Sequence, residues 1–343
     1  MTAESEPMHE AILYSKAEDG SVRCHLCSHR CHVADGKRGA CAVRRNKGGT
    51  LYSLTYGRLI ARQVDPIEKK PLYHFLPGTG SYSIATPGCN FRCSFCQNWR
   101  ISQVDASPVF ERIAEADPEQ EVEAAGRAGV ATIAYTYTEP TIFMEFALDC
   151  ARLAHERGIR NVFVTNGYQT PEAVEAMAGL IDAANVDLKS FSDEFYRSFC
   201  KARLEPVLES IRNMHEAGIH VEITTLLVTG SNDSDDELRG IAEFIAGVSP
   251  DMPWHVSRFH PDYQCTDLPP TPMERMQAAE SIGREAGLHY VFLGNVLTTS
   301  GQDTRCPDCG RMLVRRRGYA RPELSLTEPR CPDCGRSIAI VLS

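Results

Sequence analysis

No window of this 343-residue chain approaches the ~18 uninterrupted apolar residues of a membrane-spanning helix. The first eight residues, Met1 to Met8, are acidic and polar, with no apolar core of the kind a secretion signal carries. An excess of basic charge is missing too. Lys and Arg number 36 against 45 Asp and Glu, a net charge of −9, which speaks against a general nucleic-acid binder. These absences lead to the expectation of a soluble, cytoplasmic protein with neither membrane nor nucleic acid as partner. A hydrophobic fraction of 43% with 24% charged residues is globular and enough to bury a sizeable core. The length suits one ordinary domain plus one or two small modules.

Cysteine, by contrast, is abundant: there are 14. In a cytoplasmic chain that usage points to metals rather than disulfides. Four cysteines fall between residues 24 and 41, three between 89 and 96, and four between 306 and 334. Cys150, Cys200 and Cys265 stand alone, and isolated cysteines usually serve as small buried hydrophobes. Cys265, in the loop Asp262–Pro270, is the single one placed to assist chemistry as a hydrogen donor or thiyl site.

The middle group has the spacing Cys89-x3-Cys93-x2-Cys96. A four-iron cluster needs four protein ligands to be coordinatively complete, and three thiolates leave one iron open. Open coordination positions make a metal site catalytic rather than structural. A zinc knuckle with a distant fourth ligand is the structural alternative. At the C-terminus, Cys306-Pro-Asp-Cys309-Gly and Cys331-Pro-Asp-Cys334-Gly are two near-identical knuckles, whose four sulfurs can close a tetrahedron around zinc, or iron as in rubredoxin. The N-terminal group, Cys24, Cys27, Cys31 and Cys41, is less regular, and His25, His29 or His32 could replace a thiolate. It suits a structural zinc or a second iron–sulfur cluster. Two basic runs, Lys37–Arg45 and Arg311–Arg317, read as solvated charged segments.

Between residues 81 and 300 short apolar runs alternate with helical patterns, the signature of strand–helix units in a parallel sheet. Strands are expected at 81–86, 131–136, 161–165, 185–189, 220–228, 254–259 and 289–293. Helices are expected at 141–157, 171–181, 204–217, 235–246 and 272–286, with glycines at 158, 218, 247 and 287 as stops. Six or seven such units fit a partial (β/α)6 barrel better than a doubly wound sheet. Its chemistry would lie at the C-terminal strand ends, where the cysteine triad falls. Polar residues recur at those ends: Tyr137-Thr138-Glu139, Thr165-Asn166, Asp187-x-Lys189 and His255. Asp187 and Lys189, two apart on one strand, face the same side. The resulting organisation is an N-terminal cysteine-rich extension (1–76), a barrel (77–300) and a zinc-ribbon-like module (301–343).

The runs CNFRCSFCQNWRIS, YTYTEPTIF, VTNGY, DLKSF and HVSRFHPDY resemble the radical S-adenosylmethionine (SAM) family, specifically its glycyl-radical-enzyme activases. From Cys24 onward the chain looks like the radical SAM component of the AmmeMemoRadiSam group. The resemblance implies that Cys89, Cys93 and Cys96 ligate a [4Fe–4S] cluster whose open iron is chelated by SAM. It implies that SAM is then cleaved reductively to methionine and a 5′-deoxyadenosyl radical. Thr138-Glu139-Pro140 stands where relatives carry Gly-Gly-Glu-Pro, the element that receives the SAM amino group. The glycines are absent, so the carbonyls of Tyr137 and Thr138 must serve. Thr165 and Asn166 would lie beside the SAM carboxylate or ribose, Asp187 and Lys189 near the carboxylate and substrate, and His255 at the ribose. Activases carry Asp where this chain has Val164, so their cation site is not expected. A reductant such as flavodoxin or ferredoxin is implied, together with Memo-like and AMMECR-like partners. The substrate would be an unidentified molecule or, as in activases, a glycyl residue of a partner protein. A non-catalytic zinc-binding interaction protein is the alternative of another class.

Overall fold

The computed structural model describes residues 8–103, 113–296 and 301–343. An eight-stranded sheet runs through its centre: β7 (Ala61–Pro66), β8 (Gly80–Ala85), β9 (Thr132–Tyr135), β10 (Arg160–Thr165), β11 (Ala183–Asp187), β12 (His220–Leu227), β13 (Trp254–Arg258) and β14 (Val291–Gly294). Neighbours in the sheet follow chain order from β7 to β14. All pairs are parallel except β7 with β8, which is antiparallel. Parallel strands laid down in one direction through right-handed crossovers put every connecting helix on the same face, and the sheet curls about the other. Among the described residues β7 and β14 are the two edge strands, which do not pair with each other. Six strand–helix units are thus followed by a seventh parallel strand, and β7 extends the sheet back to Ala61.

Local chemistry explains the element ends. Every residue of β9 is buried, as are all but two of β12, which suits strands covered on both faces. The helix Pro118–Arg127 starts at Asp117, whose side chain accepts from the Glu119 amide, with Pro118 in the first turn. Thr170 and Ser234 cap Pro171–Met177 and Asp235–Val248 in the same manner. Met144–Glu156 and Glu205–Glu216 stop at Gly158 and Gly218, both with positive φ. Gly247 behaves otherwise: it lies within Asp235–Val248, and the helix ends at Ser249 in extended conformation.

Two small antiparallel sheets precede the central one. One joins β1 (His9–Glu10), β6 (Thr50–Ser53) and β5 (Arg44–Lys47); the other joins β2 (Tyr14–Lys16), β3 (Val22–Cys24) and β4 (His32–Val33). They are tied to the barrel by the Arg44–Glu145 ion pair, both partners 2% exposed. The loop between β3 and β4 lies on the segment after β10, where the Ser28 amide donates to the Tyr168 carbonyl (2.9 Å) and Thr170 Oγ1 to that of His25 (2.5 Å). At the other end β15 (Thr304–Arg305), β16 (Met312–Arg315) and β17 (Glu323–Leu324) form a sheet. Leu313, Val314, Ile338 and Ile340 pack there against Tyr73, Tyr290 and Phe292 of the barrel side. Among the described residues no helix is long and apolar enough to cross a membrane.

Candidate active site

The loop carrying the cysteine triad leaves the C-terminal end of β8 and is pinned on several sides. The Arg92 and Ser94 amides donate to the carbonyls of Cys200 (2.9 Å) and Phe199 (3.0 Å), and the Gln264 amide donates to Ser94 (3.0 Å). Phe91 packs edge-on to Tyr168, and Phe95 lies against Phe195. Gly88 opens the loop at φ +104°, and a Cβ there would sit 2.7 Å from Val43, so glycine is required. Phe91 N–H points at Cys89 Sγ (3.3 Å), and Cys96 Sγ lies 3.2 Å from Ser102 Oγ. Burial pushes the Cys89 and Cys96 thiols upward; for Cys93 a hydrogen bond with Cys200 comes first and burial second. Cys200, expected as a bland buried cysteine, is buried as expected but stands directly behind the triad. Cys265 is buried and directs its thiol to Ser94 Oγ (3.5 Å), and it is absent from the cavity lining.

The triad opens into a cavity of about 580 Å³. Tyr137, Thr138, Glu139, Thr165, Asn166, Asp187, Lys189 and His255 line the same cavity, so of the barrel residues singled out from sequence the structure brings all but Cys265 to one place. Glu139 is 2% exposed, and its carboxylate ties two strand-end loops together. Oε1 accepts from the Thr141 amide (3.0 Å), Thr141 Oγ1 (2.5 Å) and Thr165 Oγ1 (2.7 Å), and Oε2 accepts from the Asn166 amide (2.8 Å). Burial raises its pKa, opposed by these donors. An obligate N–H donor on each oxygen matches the ionised form.

Tyr137 has φ +63°, a conformation usual for glycine. This is the position where relatives are expected to carry glycine, and the backbone adopts the glycine-like shape with a tyrosine in place. The side chain supplies the restraint: its hydroxyl donates to Asp65, and its ring lies under Lys70 Nζ, 4.5 Å from the centroid. Asp65 also accepts from Lys70 (2.6 Å), Lys69 (2.8 Å) and Ser83 (3.1 Å). Burial works against the Asp65 charge, but Lys69, Lys70 and Tyr137 outweigh it and hold the carboxyl well below the usual range. Sequence reading missed Asp65 and Lys70 because they lie on and after β7. The signal available was the acidic–basic cluster Asp65-Pro-Ile-Glu-Lys-Lys70 just ahead of the first parallel strand.

On the opposite wall Lys189 Nζ meets Asp187 Oδ2 at 2.9 Å. Burial opposes the lysine charge, yet Asp187 and the sulfurs of Cys93 and Cys200 raise its pKa overall. His255 Nε2 bonds Glu222 Oε2 (2.6 Å). Fully buried Glu222 also accepts from the amides of Tyr73 (3.0 Å) and His74 (2.7 Å) and from His220 (3.1 Å). Burial opposes its charge, but His220 and His255 hold its pKa well below normal. Glu222 was also missed; a carboxylate inside the apolar run of β12 is the signal that could have found it.

The two flanking cysteine groups differ. Cys306, Cys309, Cys331 and Cys334 bring their sulfurs within 4.8 Å of one another, with Cys306–Cys334 at 3.5 Å and Cys309–Cys331 at 3.6 Å. A tetrahedral zinc at ~2.3 Å from each sulfur needs neighbours about 3.8 Å apart, and a single iron would be served by the same set. Among the described residues this is the only such group. Cys24, Cys27, Cys31 and Cys41 are less tightly gathered. Each nearby histidine has its Nε2 engaged: His25 with Ser15, His29 with the Asn90 carbonyl and His32 with Ser21. Nor are the basic runs wholly solvated, since Arg44 and Arg316 are buried.

A family model described as the radical SAM superfamily matches residues 83–245, which hold the triad, Glu139 and the Asp187–Lys189 pair. The chain belongs to the radical SAM superfamily. The uncharacterized protein MJ0808 of Methanocaldococcus jannaschii is 46% identical over 310 residues, 90% of this chain and 92% of that protein. The pyruvate formate-lyase-activating enzyme of Clostridium pasteurianum is 22% identical over 218 residues, 58% of this chain and 87% of that enzyme. The isethionate sulfite-lyase activating enzyme of Oleidesulfovibrio alaskensis is 28% identical over 122 residues, 34% of this chain and 40% of that enzyme. Among solved structures, a radical SAM methyltransferase from Sphaerobacter thermophilus shares the fold, with a TM-score of 0.50 at 15% identity across 92% of this chain and 81% of that one. Radical SAM proteins take a [4Fe–4S] cluster and SAM, and the residues here fit both. Three thiols converge at one end of the cavity, and the Thr224 hydroxyl in its wall is buried without a partner.

Proposed function

We propose that the chain cleaves SAM reductively at this cavity and uses the product to abstract hydrogen from a substrate. The observation that carries the reading is the convergence of the triad, the Glu139-braced loops and the Asp187–Lys189 pair on one cavity. Cys89, Cys93 and Cys96 would hold the cluster. Bound there, a cluster would supply the single low-potential electron that reductive cleavage of the SAM C5′–S bond requires. The carbonyls of Tyr137 and Thr138, turned by the left-handed conformation of Tyr137, would receive the amino group. Thr165 and Asn166, held by Glu139, would flank the carboxylate or ribose. Asp187 and Lys189 would hold substrate, and His255, oriented by Glu222, would contact the ribose. The protein's part is orientation and exclusion of water from a reactive intermediate.

A glycyl residue of a partner protein is the substrate class supported by the activating enzymes among the relatives. A low-potential flavin or iron–sulfur protein as reductant belongs to the same reading. Memo-like and AMMECR-like partners rest on the motif resemblance. The C-terminal four-cysteine set would hold zinc as a structural ion. The test is isotope transfer: reduced enzyme, SAM and a candidate partner deuterated at glycine should yield deuterated 5′-deoxyadenosine. Unlabelled product with every candidate would reject the glycyl substrate.

A further inference from the structure

The N-terminal cysteines are set out like the catalytic triad and unlike the knuckles. Within this one molecule the four C-terminal sulfurs lie within 4.8 Å of one another, as a single ion requires. Among the described residues no three of Cys24, Cys27, Cys31 and Cys41 do so, and neither do Cys89, Cys93 and Cys96. An iron–sulfur cube places each thiolate on a different iron, outside the cube, and so spreads its protein sulfurs.

The four N-terminal thiols nevertheless share one neighbourhood: the Cys24 amide donates to the Cys31 carbonyl (2.9 Å), and Cys27 and Cys41 each lie within electrostatic reach of both. Cys24 and Cys41 are buried, and Cys27 and Cys31 are half-buried. Donors point at two of the sulfurs, the kind of hydrogen bonding that sets the potential of an iron–sulfur site. The Ala40 amide lies 3.4 Å from Cys31 Sγ, and Nη1 of the buried Arg44 lies 3.8 Å from Cys24 Sγ. Arg44 Nε is buried with no partner of its own.

The site also abuts the triad loop. His29, between Cys27 and Cys31, donates from Nε2 to the carbonyl of Asn90, next to Cys89 (2.8 Å). Arg92 spans the two groups with one guanidinium, donating to the carbonyls of Ala40 (2.9 Å) and Cys89 (2.6 Å). The Cys41 carbonyl lies 3.6 Å from where a Cβ on Gly88 would be. Side chains of each cysteine segment therefore bond the backbone of the other.

From this arrangement we infer that Cys24, Cys27, Cys31 and Cys41 bind a second, coordinatively complete [4Fe–4S] cluster seated beside the triad. With four thiolates it has no open iron, and its chemistry is one-electron exchange. It takes one electron from a low-potential flavin or iron–sulfur protein and passes one to its neighbour, with no bond made or broken. That transfer rests on the function proposed above, whereas the site itself does not.

The test uses the full-length triple variant Cys89→Ala/Cys93→Ala/Cys96→Ala, reconstituted anaerobically with iron and sulfide. About four iron and four acid-labile sulfide per chain should remain, with a reduced-state EPR signal that SAM does not alter. The wild type should hold twice as much of each and show broadening from two neighbouring reduced clusters. The complementary Cys27→Ala/Cys31→Ala protein should keep only the SAM-sensitive signal. A triple variant that binds zinc and no labile sulfide would overturn the inference. A triple variant that keeps its cluster, beside a wild type with no SAM-sensitive signal, supports this site and rejects the radical reading.

Discussion

Replacing Glu139 with Gln tests the bracing of the two loops that would hold SAM. The substitution keeps volume but turns one carboxylate oxygen into a donor. With the amide oxygen at the Oε1 position, three of the four bonds survive, and the new NH₂ group faces the Asn166 amide. The opposite orientation sets the NH₂ group against the Thr141 amide and against Thr165 Oγ1, which already accepts from Gly167 and Gln169, and is disfavoured. A hydrogen bond to a charged group is worth roughly 1.5–3 kcal/mol, and a buried donor left facing another donor costs a similar amount. The loss of about 2–3 kcal/mol falls on Asn166, whose side chain reaches Asn90 beside Cys89 (2.7 Å). If most of it appears in binding, affinity for SAM falls about 10- to 30-fold, at 1.4 kcal/mol per factor of ten. Iron content should not change, because Glu139 is not a cluster ligand. Titrating SAM into the reduced, reconstituted variant and following the cluster EPR signal measures the effect. Affinity within twofold of wild type, at normal iron content, would refute the reasoning.

Tyr137→Gly preserves the left-handed backbone and should retain SAM binding, whereas Tyr137→Val, β-branched at φ +63°, should lose at least tenfold in the same titration. Glu145→Ala leaves Arg44 charged and buried without its partner, and should destabilise the fold by about 3–5 kcal/mol in urea unfolding. His74 joins the barrel to the C-terminal module, bonding the Ala339 carbonyl (3.1 Å) and Thr304 Oγ1 (3.0 Å), and burial pushes its pKa down to about 3. The unfolded chain takes up that proton near pH 6.5 and the folded one does not, so stability falls as pH drops between those values. The loss at pH 5 relative to neutral is about 2 kcal/mol, and a His74→Asn variant should lack that increment in paired urea melts.

The parallel strands were legible because each is a short apolar run bounded by turn residues, and β9 to β13 lie within a residue or two of their expected starts. The triad was legible because its spacing is short and local. Less visible was β7, whose sequence Ala-Arg-Gln-Val-Asp-Pro has no apolar run, since it is an antiparallel edge strand with three of its residues exposed. With it went Asp65 and Lys70, and hence the reason Tyr137 can occupy a glycine conformation. Glu222 was hidden for the opposite cause: an apolar strand reads as core, and besides His220 the charge inside it is satisfied by residues 33 and about 150 positions away. Sulfur separations depend on how loops close and cannot be read from spacing. The N-terminal set was visibly less regular in sequence than the C-terminal knuckles, but how far its sulfurs spread shows only in space.

The central claim, that this cavity performs reductive SAM cleavage, is tested most directly by one measurement. Anaerobically reconstituted protein is incubated with dithionite and SAM, and 5′-deoxyadenosine is quantified for wild type and Cys93→Ala. The account predicts a brown wild-type protein that forms 5′-deoxyadenosine, and a variant that forms none while keeping the C-terminal metal. A colourless, zinc-only wild type, or cleavage that survives in Cys93→Ala, would contradict it.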